Sequence, residues 1–547
     1  MNRNSALRLA RVAGEEARRA TKGLKKPGLP KLYYLSYQIR DLDILEVEAR
    51  YGSLYRNETY QRRNCLADTH VGSHRRDQVA DGGLFDNSKE DESHGYVELP
   101  ISDRSDPMRI GLWRLTDAKY REAEEAYLRK RAHELTYLDT TEHLGAWQKH
   151  EPTISHGTTQ LPAVDREYWA DYVTKASATM RSFPLIKNSH VELKVRHQTN
   201  LFVNTEGSSI IESRSYWQLE GYLWYLSDKG DALPWSISHF VNSPEQLPDL
   251  ATFRKEIRSA AKLLDKIAVA PRIHSYSGPV LLDPVPAGLL VHEALGHRLE
   301  GNRLRASGEA RTFADSLGKK VLPEFLTLND NPGLRSWKDP QGKETDLVGH
   351  YQFDDEGTPV ADARLIDGGT LSGFLSGRTP IKKGHRSNGH ARSHRHERAM
   401  SRMGVTILES EVRHDENSMK EQLIEQVKMQ GAPYGIRVLN ASGGETATEA
   451  YDFQAFLGDV NLASRIYPDG REELVRGVNF IGTPLNAIHG IIAAGDRQEI
   501  DNAWCGAESG FVPVSTISPS LLIRHLELQS KVETPYTQYC YPMPGNR

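Results

Sequence analysis

Residues 289–301 read Leu-Leu-Val-His-Glu-Ala-Leu-Gly-His-Arg-Leu-Glu-Gly, with His292 and His297 on either side of Glu293. Two imidazoles flanking a carboxylate on a helix are how many zinc hydrolases hold their metal. The ring nitrogens bind the ion, and the carboxylate takes a proton from water. The spacing is one residue longer than the common HExxH pattern. On a regular helix, positions i and i+5 lie ~140° apart, too far round to point at one ion. The helix must therefore distort locally, and Gly296, just before His297, permits that. The alternative is a pair of helical histidines, each satisfied by ordinary hydrogen bonds. A zinc site also needs a third protein ligand. No local spacing supplies one, so any His, Cys, Asp or Glu elsewhere is a candidate.

Around this stretch lies a chain of 547 residues, too long for one ordinary core, with 38% hydrophobic and 26% charged residues. Lys plus Arg number 69 and Asp plus Glu 73, a near balance that argues against a dedicated nucleic-acid binder. The best apolar run, Gly482 to Gly495, is broken by Thr483, Pro484, Asn486 and His489. It falls short of the roughly 20 apolar residues a membrane span needs. Cys65, Cys505 and Cys540 are the only cysteines, too few for a disulfide framework, and they fit a reducing compartment. No apolar segment follows Arg3, Arg8, Arg11, Arg18 and Arg19, and Glu15 and Glu16 are out of place in a transit peptide. A cytoplasmic protein is expected.

Residues 1–31 read as a basic, partly helical arm. Alternating strands are expected at Tyr33–Ile39 and Leu45–Tyr51, then a long, polar, flexible loop over residues 73–106. A helix is expected from Asp117, with Thr116 as its N-cap, and a second with Tyr168, Trp169, Tyr172, Val173, Ala176 and Met180 on one face. Strands return at Val191–Val195, and Phe253, Ile257, Ala261, Leu264 and Ile267 mark another amphipathic helix. The main boundary is placed near Pro271. Beyond it come short strands and hairpin signals at Asp367-Gly368 and Asp469-Gly470. The expected fold class is α+β: a mixed N-terminal domain over 32–271 and a β-rich C-terminal domain over 272–547.

Four blocks carry a resemblance. His292 to Gly301 resembles the HExxxH-xLEG signature of the TldD/PmbA metallopeptidases, once described as modulators of DNA gyrase. Ser387 to Met403 resembles that family's arginine-rich segment. Arg476-Gly477 through Ile481-Gly482-Thr483-Pro484-Leu485 resembles its RGxxxIGNPL block, and Ala503-Trp504-Cys505-Gly506 with Val512-Pro513-Val514 its late block. The resemblance implies one zinc held by His292, His297 and Cys505, with Glu293 as general base. It implies unfolded or small peptides as substrates, bound extended in a sheet-lined cleft. It also implies a homodimer, or a heterodimer with a metal-free homologue. Cys65 and Cys540 remain inert thiols. Asn302 and Thr483 depart from the family's usual Asp and Asn, which leaves the ligand set intact.

Two rival functions stand beside the peptidase. One is an amidase tailoring a small peptide-linked metabolite with the same residues; the other is a non-catalytic scaffold around a zinc closed by four protein ligands. The basic segment Arg378 to Arg402 has three readings: a solvated loop, a nucleic-acid contact, or a wall of the active cleft. No nucleic acid and no membrane are expected as partners.

Overall fold

The computed structural model describes residues 1–25, 27–79, 96–102, 104–134, 144–158, 162–305, 312–339, 342–394, 398–446, 456–482, 484–531 and 534–539. Strand outweighs helix, 42% to 27%, and the helices lie against the faces of two large sheets, so the fold is α+β. The first sheet has eight strands, all before Asn242, and the second has eleven, all after His274.

Four long antiparallel strands dominate the first sheet: Leu32–Arg50, Ser53–Ser73, Ile186–Asn204 and Ser209–Leu226. At ~3.3 Å per residue each runs about 60 Å. The expected strands at 33–39 and 45–51 are one continuous strand, and its hairpin partner, Ser53–Ser73, was not expected. The first ten residues of that partner are mostly exposed and polar, so no apolar alternation marks them. The turn between the two puts Tyr51 at φ 47° and Gly52 at φ 80°. Positive φ at both central positions matches the right-handed twist of the flanking strands.

The basic N-terminal segment forms a helix, Arg3–Gly23, whose small apolar face (Ala6, Leu9, Ala13, Ala17) is buried against this sheet while its arginines face solvent. Beside it lies the helix Ser105–Glu134. Thr116 is therefore not an N-cap: it sits mid-helix, and its hydroxyl donates to the Leu112 carbonyl (2.7 Å). The expected loop over 73–106 contains two short strands, Arg76–Asp77 and Val97–Glu98, while residues 80–95 and 103 fall outside the described residues. Helices Arg166–Ala178 and Leu250–Val269 cover the other half of the sheet.

The basic segment joins the two sheets. Arg378, 0% exposed, lies against the rings of Tyr34 and Trp147 and donates to Glu206 Oε1 (2.8 Å) and the Gln148 carbonyl (2.7 Å). Arg398 reaches His70 Nε2 (2.8 Å) and Asp68 (3.4 Å). Arg392 and Arg402 are also buried, so much of this charge faces the interior; Arg395, His396 and Glu397 lie outside the described residues. At the same junction Glu356 accepts the Arg378 backbone N–H. Burial pushes this carboxyl up to about 7, against the lowering pull of Arg378 and Arg398. A carboxyl with a raised folded-state pKa contributes stability below its unfolded value near 4.5, and that contribution is lost as pH rises through 7. Glu356→Gln should therefore be more stable than the parent at pH 8 by up to ~3 kcal/mol, and show no such gain at pH 5. Thermal melts of both proteins at the two pH values check it.

Candidate metal centre

The strand Ser275–Leu282 runs into Asp283, whose carboxylate is held by Arg437 (2.8 and 3.1 Å). Pro284 then opens the helix Pro284–Ala294 at a position where a missing N–H loses nothing. This helix is apolar on nearly every side and lies buried against the strands Gly435–Thr446 and Gly510–Ser530.

The i, i+5 spacing is resolved where the helix ends. The Leu295 N–H still bonds the Val291 carbonyl (3.0 Å), but Gly296–Leu299 continue as a tighter 3₁₀ turn. His297 thereby comes round beside His292, with ring centroids 5.0 Å apart. Gly296 stands where the helix changes, and it also has a packing role. A Cβ there would overlap the Met403 sulfur, so the glycine leaves the gap that Met403 fills. Gly296→Ala should destabilise the protein by about 1–3 kcal/mol, measurable as a lower denaturation midpoint.

Cys505 arrives from the strand Ile491–Ala507, 213 residues beyond His292. Its Sγ lies 3.1 Å from His292 Nε2 and 3.4 Å from His297 Nε2, and the three candidate ligand atoms fall within 4.8 Å of one another. The three side chains are almost wholly buried, at 8%, 5% and 5% exposure. For a tetrahedral zinc, nitrogen and sulfur ligands sit about 3.6 Å apart. The observed separations come within a few tenths of an ångström of that, so the donor set fits the ion.

Surrounding groups hold these donors in place. His297 Nδ1 bonds Glu300 (3.0 Å), which leaves Nε2 facing the cluster. Glu300 is gripped in turn by Arg303 (2.7 Å) and lies 3.5 Å from Arg402. Arg402 donates to Cys505 Sγ (3.1 Å) and to its carbonyl (2.7 Å). Burial alone would push the Cys505 thiol up, but His297, Arg402 and His292 outweigh it and hold the thiol well below its ordinary range. A thiolate is the form that binds metal. Glu300 likewise falls to about 2, since His297, Arg303 and Arg402 overcome its burial. Asn302 Oδ1 accepts from the Ser401 backbone N–H (2.8 Å) and hydroxyl (2.5 Å), bonds a carboxylate would also accept.

Sequence reasoning missed Glu300 and Arg402 as supports of the site. Glu300 was legible, lying three residues past His297, the reach of one helical turn. Arg402 was hidden among eight cationic residues of the basic segment.

Glu293, 6% exposed, sits next to His292 on the helix and against the Gly443-Gly444 bulge of the strand Gly435–Thr446. A Cβ at Gly444 would lie 2.7 Å from Glu293 Cγ and 3.0 Å from its Oε1. Gly444→Ala should displace the carboxylate and lower turnover by roughly 100-fold with the metal retained. Rate and metal content measured on the same preparation check this. Cys65 is buried in the first sheet's core, a different cluster from the one that holds Cys505, and Cys540 and Thr483 lie outside the described residues. No helix among the described residues is long and apolar enough to cross a membrane.

Residues 275–530 match the family model described as "PmbA/TldA metallopeptidase C-terminal domain". Over 271 residues the chain is 28% identical to an Archaeoglobus fulgidus protein named "Metalloprotease", covering 48% of this chain and 57% of that one. It is 24% identical over 281 residues to a Saccharolobus solfataricus protein named "Zinc metalloprotease TldD homolog", covering 51% of this chain and 56% of the relative. The chain thus aligns with little more than half the length of these relatives. The crystal structure of TldE from Thermococcus kodakarensis shares the fold, with a TM-score of 0.61 at 14% identity, covering 95% of this chain and 100% of that one. The ordered motifs, the matched C-terminal domain over residues 275–530 and the shared fold together support the TldD/PmbA family for this chain.

Proposed function

We propose that this protein is a zinc-dependent peptidase acting on unfolded or small peptides, with His292, His297 and Cys505 holding the metal and Glu293 as general base. The observation that carries the reading is the convergence of two imidazoles and a thiol, from segments 213 residues apart, beside a buried carboxylate. The names of the relatives support it. Zinc, when bound, supplies Lewis acidity and lowers the pKa of water at its open position.

The chain's own residues do the rest. Glu293 takes the proton of the attacking water on its carboxylate and returns it to the leaving amine. Glu300 keeps His297 in the tautomer that presents Nε2. Arg402 keeps Cys505 ionised and fixes its backbone. An anionic thiolate donates more charge than a third imidazole, which moderates the metal's acidity. We further propose that the protein works as a dimer, with a second copy or with a metal-free homologue; light scattering of the purified protein tests the first.

The activity test is mass spectrometry of an unfolded-peptide library incubated with zinc-loaded protein and with chelator-treated protein. Cuts that appear only with zinc support the reading. A library left intact by zinc-loaded protein contradicts a broad peptidase working as this chain alone and leaves a required partner subunit, the specialised amidase or the non-catalytic scaffold.

A further inference from the structure

Behind the strand that carries Cys505 lies a second cavity. Successive side chains on a strand point to opposite faces. Cys505 faces the histidines, and Trp504, its neighbour, lines a chamber of about 220 Å³ between the two sheets. That volume suits a small organic molecule rather than a single water.

Five arginines line it: Arg40, Arg62, Arg196, Arg214 and Arg392. Among the described residues the acids at hand do not balance Arg40, Arg62, Arg214 and Arg392. Asp355 is engaged by Arg40 (3.3 Å) and by the Ser393 N–H (2.7 Å). Asp354 spends its oxygens on the backbone N–H groups of Glu356, Thr358 and Ala391. Glu212 pairs with Arg214, whose Nε still has no hydrogen-bond partner among the described residues. Arg62 and Arg392 have no carboxylate within ion-pair distance among the described residues.

Arg392 is the telling case, being 4% exposed. The one hydrogen bond its guanidinium makes to a described residue goes to the Met403 carbonyl (2.7 Å). Burial, aided by Arg214 and opposed by Tyr351, Tyr216 and Asp355, lowers its pKa, so its charge is held at a penalty. Aromatic rings hold the guanidiniums by their faces. Arg392 lies 4.7 Å and Arg214 5.4 Å from the Tyr351 centroid, Arg62 5.2 Å from Tyr60, and Arg196 5.0 Å from Trp504. Stacking orders a guanidinium while leaving the N–H groups along its edge able to grip an oxyanion.

We propose that this chamber binds a small organic anion, a carboxylate or phosphate ester with an apolar body, held by Arg392, Arg214 and Arg62 against the aromatic walls. The site is separate from the metal centre, and the proposal stands whether or not the peptidase reading does.

Calorimetric titration of the full-length protein at fixed ionic strength tests it with three probes: phenyl phosphate, 3-phenylpropionate and the uncharged 3-phenylpropanamide. Saturable one-to-one binding of either anion and none of the amide is expected, and the preferred anion tells phosphate from carboxylate. Arg392→Met should weaken that binding at least ten-fold and exposed Arg62→Gln several-fold. Arg471→Gln, removing a surface arginine paired with Asp469 (2.9 Å), should leave it unchanged. Should Arg392→Met fail to fold, Arg62→Gln decides. Anions that bind no better than the amide, or equally to wild type and the folded chamber variants, overturn the proposal.

Discussion

The Cys505→Ala variant is expected to come out of purification without bound zinc and to take it up at least roughly 100-fold more weakly than the parent. The loss of a single outer hydrogen-bond partner of a ligand already costs 10–100-fold in metal affinity, so loss of a ligand should exceed that. Two imidazoles would remain, too few for a stable site. Nor would alanine simply leave a gap. The thiolate is the counter-charge that Arg402 (3.1 Å) and the His292 and His297 rings face in a nearly closed pocket. Without it, buried cationic groups face one another, so the variant should also melt earlier. Cys65→Ala is the control: that thiol is also buried, burial pushes its pKa up, and its hydrogen bond runs to the Leu66 carbonyl rather than to a described imidazole. It should keep the metal. Metal content by mass spectrometry of native protein separates the two.

Glu293→Gln is expected to retain zinc and lose roughly 10²–10⁴-fold in peptide hydrolysis, the usual contribution of a positioned general base. Glutamine keeps the side chain's shape between His292 and the Gly444 backbone but cannot carry a proton. The metal triad is untouched because the Glu293 side chain supplies none of its atoms. An unchanged rate in the zinc-loaded variant would remove Glu293 from the chemistry and leave the metal site standing.

Much of the candidate site was legible, but unevenly. His292, Glu293 and His297 stood within one short motif, and the misfit of their spacing to a regular helix already demanded a break, found between Ala294 and Gly296. Cys505 could be reached only through family resemblance, because nothing local to it signals a ligand. The packing role of Gly296 was missed, since Met403 lies more than a hundred residues away and close approach leaves no mark in local spacing. In the first sheet, Ser53–Ser73 escaped notice because half of it is exposed, so its polar residues imitate a loop. Thr116 is an ordinary N-cap residue type used mid-helix, where its hydroxyl bonds backward to Leu112. The basic segment looked like surface because charge usually is; here the burial of Arg378 depends on Glu206 and Tyr34, distant partners no local pattern reveals.

The central claim is a zinc held by two histidines and one cysteine with a position left for water. X-ray absorption at the zinc edge of the loaded, full-length protein tests it most directly. The predicted shell is one sulfur at about 2.3 Å, two imidazole nitrogens at about 2.0 Å and one further light atom. A shell without sulfur, or with two sulfurs, would contradict the account.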